Sequence, residues 1–229
     1  MDLANCSVCG RTAFESVAVL WKDLIEKWEL SDEEVEYINR QQGFYCLACG
    51  NNLRAMALAD AILNAYSIET DLVSAVASGC LDGVSVLEIN HAGGLTKFLS
   101  PLPQHQLVTY PEYDLLDLEI PSDKFDLVIH SDTLEHISDP VKALTECRRV
   151  LKENSKCIFT IPIITRRMSR SRAGLPASYH GNQNSGEQDL LVQTEFGSDF
   201  WEYVLQAGFR SCTVSCIEYP GGLAIQAIS

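Results

Sequence analysis

From residue 84 onward, short apolar strands alternate with amphipathic helices, and this alternation limits the fold more than any other feature of the chain. "VSVLEI" (84–89), "HQLVTY" (105–110), "KFDLVIHS" (124–131) and "KCIFTIPII" (156–164) read as strands. "DPVKALTECRRVLKEN" (139–154) reads as a helix with Pro140 in its first turn and basic residues toward its end. "GSDFWEYVLQAGF" (197–209) reads as another, stopped by Gly208. Buried strands separated by helices belong in a parallel sheet covered on both faces. "CTVSCIEYP" and "GLAIQAIS" then pair as an antiparallel hairpin through Pro220-Gly221-Gly222. The expected fold class is α/β, with a mostly parallel sheet and a C-terminal antiparallel hairpin.

Ahead of this pattern stand two identical units, "CSVCG" with Cys6 and Cys9, and "CLACG" with Cys46 and Cys49. In a C-x-x-C turn both thiolates face one ion, and the following glycine accepts the backbone geometry that the turn demands. Two such pairs supply four tetrahedral ligands, so a structural zinc site is expected. The intervening 36 residues exceed the usual spacing and read as inserted helices. Leu20, Leu24 and Trp28 fall at helical spacing, and Ser31 with Glu34 forms a capping box. The alternatives are a pair of redox dithiols or free surface thiols. Cys80, Cys147, Cys157, Cys212 and Cys216 sit in apolar or helical settings and read as small core residues. The expected division is a zinc-knuckle module over 1–52 and a second domain over 53–229, joined by a helix in "NNLRAMALADAILNAY".

The formal net charge of −14 argues against a nucleic-acid partner held through phosphates. No apolar run reaches the length of a membrane span, so no membrane partner is expected. The start "MDLANCSVCG" does not read as a secretory leader, and the expected location is cytoplasmic.

Several motifs together carry a family resemblance. They are Phe125-Asp126-Leu127-Val128, Leu134-Glu135-His136, Asp139-Pro140, Arg149-Val150-Leu151-Lys152, Ile161-Pro162 and the "AGF" at 207–209. Over about 84–229 the chain resembles the class I S-adenosylmethionine-dependent methyltransferases, and its front end is similar to zinc-knuckle modules attached to some of them. The resemblance implies a Rossmann-like fold with S-adenosylmethionine as cofactor. The alternatives are a catalytically inactive zinc-plus-Rossmann interaction module and a different nucleotide enzyme such as a dehydrogenase.

The resemblance also implies site residues. The acid ending the first strand, Glu88, belongs near the cofactor's amino acid end. A regular E-x-G-x-G-x-G run would place glycine at 90, 92 and 94; here stand Asn90, Ala92 and Gly94, with an extra Gly93. Asparagine tolerates positive φ and Gly93-Gly94 restores backbone freedom, so the turn reads as rebuilt rather than lost. Phe125 follows Asn90 by only 35 positions, so one βα unit is shortened. Glu112 is the candidate ribose acid, Asp114 (or Asp117) the acid near the adenine amino group, and Leu115 and Ser131 further cofactor contacts.

Methyl transfer needs alignment and, for some acceptors, a base. His136 and Asp132, on the loop after the central strand, are candidates, and with Glu135 they form a possible second metal set. The loop 165–196 carries Arg166, Arg167, Arg170 and Arg172 with Tyr179 and His180. It reads as an acceptor lid, with Arg170, Arg172 and Tyr179 meeting an anionic part of the substrate and His180 a further base. The expected acceptor is a small molecule, anionic or sugar-linked, methylated on oxygen.

Overall fold

The computed structural model describes residues 3–179 and 190–229. The chain opens with a two-stranded antiparallel ribbon, β1 (Phe14–Ser16) and β2 (Phe44–Cys46), interrupted by α1 (Lys22–Lys27) and α2 (Asp32–Gly43). The Ser31–Glu34 capping box forms in full at the start of α2. Helices α3 (Leu53–Ala65) and α4 (Leu72–Ala77) lead to β3 (Val86–Ile89). Then come α5 (Thr96–Leu99), β4 (His105–Val108), β5 (Phe125–Ser131), α6 (Pro140–Val150), β6 (Leu151–Thr160), β7 (Ile163–Ile164), β8 (Arg170–Ser171), β9 (Thr194–Gly197), α7 (Trp201–Gln206), β10 (Ser211–Ile217) and β11 (Gly222–Ile228).

The main sheet runs β10-β11-β6-β5-β3-β4. β4, β3, β5 and β6 are mutually parallel, and β11 and β10 join as the expected antiparallel hairpin. A smaller sheet, β7-β9-β8, stands apart. The Rossmann-like fold class is as the sequence implied. Two expected helices are shorter: the one expected to reach 154 ends at Val150, with the next strand starting at Leu151, and the one expected over 197–209 spans Trp201–Gln206, behind a strand that ends at Gly197.

The missing βα unit is replaced by coil. Residues 109–124 form neither helix nor strand. Arg149 holds them, donating to the Leu118 and Ile120 carbonyls at 2.8 Å each. The sheet buries both faces. On one, Leu87, Val128, Cys157 and Phe159 meet α6 and α7. On the other, Val86, Leu127, Ile129 and Ile158 meet α3, and this core continues into Cys6, Val8 and Cys46. The cysteine knuckles therefore share the core of the sheet. Because β4 and β5 lie on opposite sides of β3, the chain reverses direction there, and the carboxyl ends of these strands open into a crevice suited to a ligand.

Candidate active site

Two cavities meet above that reversal. The first, about 490 Å³, lies over the ends of β3, β4 and β5 and is lined by Asn90, Tyr110, Tyr113, Asp114, Leu115 and Thr133 among others. Its size suits a small-molecule cofactor. The second, about 280 Å³, is lined by Trp21, Leu24, Trp28 and Ile38 from the insert, by Arg54, and by Ile163 and Ile164. Asp132 and His136 line both cavities.

The turn after β3 is rebuilt around Asn90. Its φ is +55°, its N–H donates to Val108 O at 2.9 Å, and its Oδ1 accepts from the Tyr110 N–H at 2.9 Å. The Asn90 side chain thus ties the end of β3 to the end of β4. Gly93 also adopts positive φ, with Ser131 Oγ 3.8 Å from where its Cβ would stand. Ser131 bonds Thr160 at 2.8 Å and backs the turn from behind.

Glu88 has a different placement from that implied. It is wholly buried, and its carboxylate accepts from the Ala92 N–H at 2.8 Å, Thr96 Oγ1 at 2.6 Å and His105 Nε2 at 2.7 Å. Burial pushes its pKa up, but the His105, Thr96 and Ala92 bonds together outweigh that and leave it below the ordinary glutamate value. Glu88 braces the turn from inside rather than lining the cleft. Glu112 is exposed and does not line the cleft either; Tyr110 and Tyr113 occupy that wall. Asp114 does line it, its Oδ1 accepting from the Leu116 N–H at 2.8 Å while Leu115 is buried beside it. The cleft thus offers a carboxylate, apolar contact and aromatic walls, which fit a cofactor bearing an adenine and a cationic centre.

His136 Nδ1 stands 3.0 Å from Leu191 O, which assigns the proton to Nδ1; Nε2 is 3.7 Å from the buried Glu135. Asp132 has φ +50° and pairs with Arg54, which also donates to Gln41 Oε1 at 2.5 Å. Among the described residues, Asp132, Glu135 and His136 do not converge as a metal ligand set.

The lid arginines are a correction. Arg170 pairs with Glu195 at 2.5 Å, and the buried Arg172 pairs with the same carboxylate. Arg167 pairs with Glu34 at 2.6 Å and Arg166 with Glu33. All four guanidinium groups are spent on the protein's own acids and fasten the loop to β9 and α2. Tyr179 is exposed and forms a bridge with Leu191, and does not line either cavity. His180 lies outside the described residues. Sequence reasoning missed Arg54, Gln41, Trp21 and Glu195. A lone arginine near the start of the apolar α3 was the available signal for the first.

The four knuckle sulfurs lie within 4.8 Å of one another. Cys6 and Cys49 are 3.7 Å apart, and Cys9 and Cys46 3.6 Å. Zinc–sulfur bonds of about 2.3 Å in a tetrahedron give sulfur separations of about 3.8 Å, so the donor set fits. The knuckles are near copies: Gly10 donates to Cys6 O and Gly50 to Cys46 O at 2.7 and 2.8 Å, both glycines at positive φ.

A parallel sheet with a cofactor-sized cleft at its reversal point and a second, adjoining cavity defines a Rossmann-like fold with a ligand site. Residues 46–159 match the family described as a methyltransferase domain. Over that segment the chain carries a methyltransferase domain, which sets aside the dehydrogenase alternative. Among solved structures it is similar to an S-adenosylmethionine-dependent methyltransferase of Thermotoga maritima at 17% identity, covering 69% of this chain and 87% of that one, with a TM-score of 0.42. It is also similar to one of Mesorhizobium loti at 13% identity, covering 64% and 91%, with a TM-score of 0.40. No curated protein matches the sequence. Among the described residues, no helix is long and apolar enough to cross a membrane.

Proposed function

We propose that this protein transfers a methyl group from S-adenosylmethionine to an oxygen of a small-molecule acceptor, with a structural zinc ion held by Cys6, Cys9, Cys46 and Cys49. The 1–52 segment is then the metal module and 53–229 the catalytic domain. The observation that carries the reading is that Asp132 and His136 line both cavities, so a group in one faces a group in the other across them.

When bound, the cofactor supplies an electrophilic methyl on a sulfonium, open to in-line displacement. Asp114 and Leu115 hold its adenine end, and Asn90 keeps the β3–β4 mouth open beneath it. His136 accepts the acceptor's proton at Nε2, and the nearby Glu135 carboxylate stabilises the imidazolium that forms. Arg54 fixes Asp132 against the cavity wall.

The test is calorimetry with S-adenosylhomocysteine, followed by turnover on an acceptor found by screening. Asp114→Ala should weaken product binding about tenfold, the loss of roughly one charge-assisted hydrogen bond. His136→Gln should leave that affinity within twofold and lower turnover about a hundredfold. Absence of any S-adenosylhomocysteine binding overturns the reading.

A further inference from the structure

The acceptor cavity has a composition that the sequence did not announce. Its wall comes chiefly from the segment between the two cysteine knuckles, where Trp21, Leu24, Trp28 and Ile38 face Ile163 and Ile164. The volume of about 280 Å³ is small, at the lower edge of ligand sites. Two tryptophans in one wall favour a flat ring, because aromatic faces stack and bury area at low entropic cost.

Its polar groups form one linked cluster. Arg54 joins Gln41 and Asp132, and His136 adjoins. Arg54, the cavity's cation, is already balanced by Asp132, with Glu135 buried nearby. Arg166, Arg167, Arg170 and Arg172 do not line the cavity, and each is held by Glu33, Glu34 or Glu195. An anionic acceptor would therefore be stripped of water with no uncompensated cation among the described lining residues to receive it, which is unfavourable. Two donors on lining residues, Trp21 Nε1 and Arg54 Nε, are buried without a hydrogen-bond partner. An oxygen on the ligand would give such donors a partner.

We infer that the acceptor is an uncharged, flat, mainly apolar molecule of one or two rings carrying a hydroxyl, a phenol in class, and that the insert between the knuckles sets this specificity. The inference rests on the methyl-transfer reading above. A phenol ionises near pH 10, within reach of a histidine base, whereas an aliphatic alcohol does not. In the reaction the oxygen–methyl bond forms as the sulfur–methyl bond breaks. The sulfur keeps the electron pair of the broken bond, and the hydroxyl proton passes to His136. Residues after β7 hold the insert in place: Trp28 Nε1 donates to Ser178 Oγ at 2.8 Å, and Arg167 donates to the Trp28 carbonyl at 2.9 Å.

The experiment titrates the full zinc-loaded chain, saturated with S-adenosylhomocysteine, with naphthol, naphthoate and naphthyl phosphate in a calorimeter. Naphthol should bind at least about tenfold more tightly than either anion. Ile38→Arg and Leu24→Arg, each placing a charge in the wall, should each weaken naphthol about tenfold or more while S-adenosylhomocysteine affinity stays within twofold. Melting curves identify a variant that fails to fold, in which case the other decides. Equal or tighter binding of an anion, naphthol binding untouched by both variants, or no binding of the three while S-adenosylhomocysteine binds, overturns the inference and leaves methyl transfer standing. Failure of S-adenosylhomocysteine itself to bind overturns the underlying reading instead.

Discussion

The side chain of Asn51 touches the second cysteine knuckle at one end and the turn after β3 at the other: its Nδ2 lies 3.4 Å from Cys49 Sγ, and its Oδ1 sits where a Cβ on Gly94 would have to go. Lys97, one turn further on, donates to the Cys49 carbonyl at 3.1 Å. The second knuckle and the turn after β3 are thus one packed unit. Gly94→Ala should displace Asn51 and weaken S-adenosylhomocysteine by about tenfold, a cost of the size expected when a packed contact is overfilled. Adding Asn51→Ala should restore much of that loss, because the obstructing oxygen is gone. Calorimetry on the two single variants and the double variant decides; a double variant no better than Gly94→Ala would remove the coupling.

The metal prediction follows from the same unit. Purified without chelator, the chain should carry about one zinc, since four thiols at tetrahedral spacing leave room for one ion. Cys46→Ser should lose it and lower the melting temperature, because metal affinity here is folding free energy. It should also weaken S-adenosylhomocysteine, through Asn51. Elemental analysis finding no zinc in the parent, with all four thiols open to titration, would exclude the site.

How much of this could be read in the sequence depended on whether a residue's partner was local or distant. The βα alternation, the capping box at Ser31 and the hairpin at Pro220 are local patterns, and all three form. The family motifs marked the right segments, but several of their residues serve the scaffold. Asp126 of the F-D-x-V strand pairs with Lys152 of R-V-L-K at 2.8 Å and accepts from the Ser85 N–H at 3.0 Å. Glu88 points inward to His105, seventeen residues away. The loop arginines looked free because their acids, Glu33, Glu34 and Glu195, lie far along the chain. A run of charge gives no hint of which distant carboxylate neutralises it.

Glu195 supports a stability prediction. It is 5% exposed and accepts from two arginines, one of which, Arg172, is itself 7% exposed and stacks over the Trp28 ring at 5.3 Å. Removing its charge leaves a buried guanidinium uncompensated. Glu195→Gln should therefore cost about 3–5 kcal/mol in urea unfolding, typical for breaking one side of a buried pair. Arg170→Ala should cost far less, about 1 kcal/mol or under, because that side chain is half exposed and water screens the pair. Equal losses would mean that Arg172 is not the residue anchoring the loop.

The last prediction concerns acid. His130 ends buried in β5, fully shielded, stacked on Phe159 at 4.6 Å, with neither ring nitrogen hydrogen-bonded. Burial pushes its pKa down to about 4, and the attraction of Glu135 offsets this only in part. The folded protein therefore keeps His130 neutral at pH values where the unfolded chain, with an ordinary value near 6.5, has taken up a proton. Since the unfolded state binds more protons in that window, stability rises with pH there. The contribution is fully present above about 6.5 and is lost progressively as the pH falls toward about 4. Between pH 7 and pH 5 this one group should account for about 2 kcal/mol of lost stability. Glu34, Glu88 and Asp126, whose pKa values are lowered from ordinary carboxylate values, act at lower pH and do not confuse the window. Zinc release on acidification would add to the parent's loss, but a variant with the same knuckles shares it. His130→Phe keeps the ring stacked on Phe159 and removes the titrating group. Urea unfolding at pH 7 and pH 5 should show the variant losing about 2 kcal/mol less than the parent. Identical losses in the two proteins would mean that His130 is not buried neutral in the folded state.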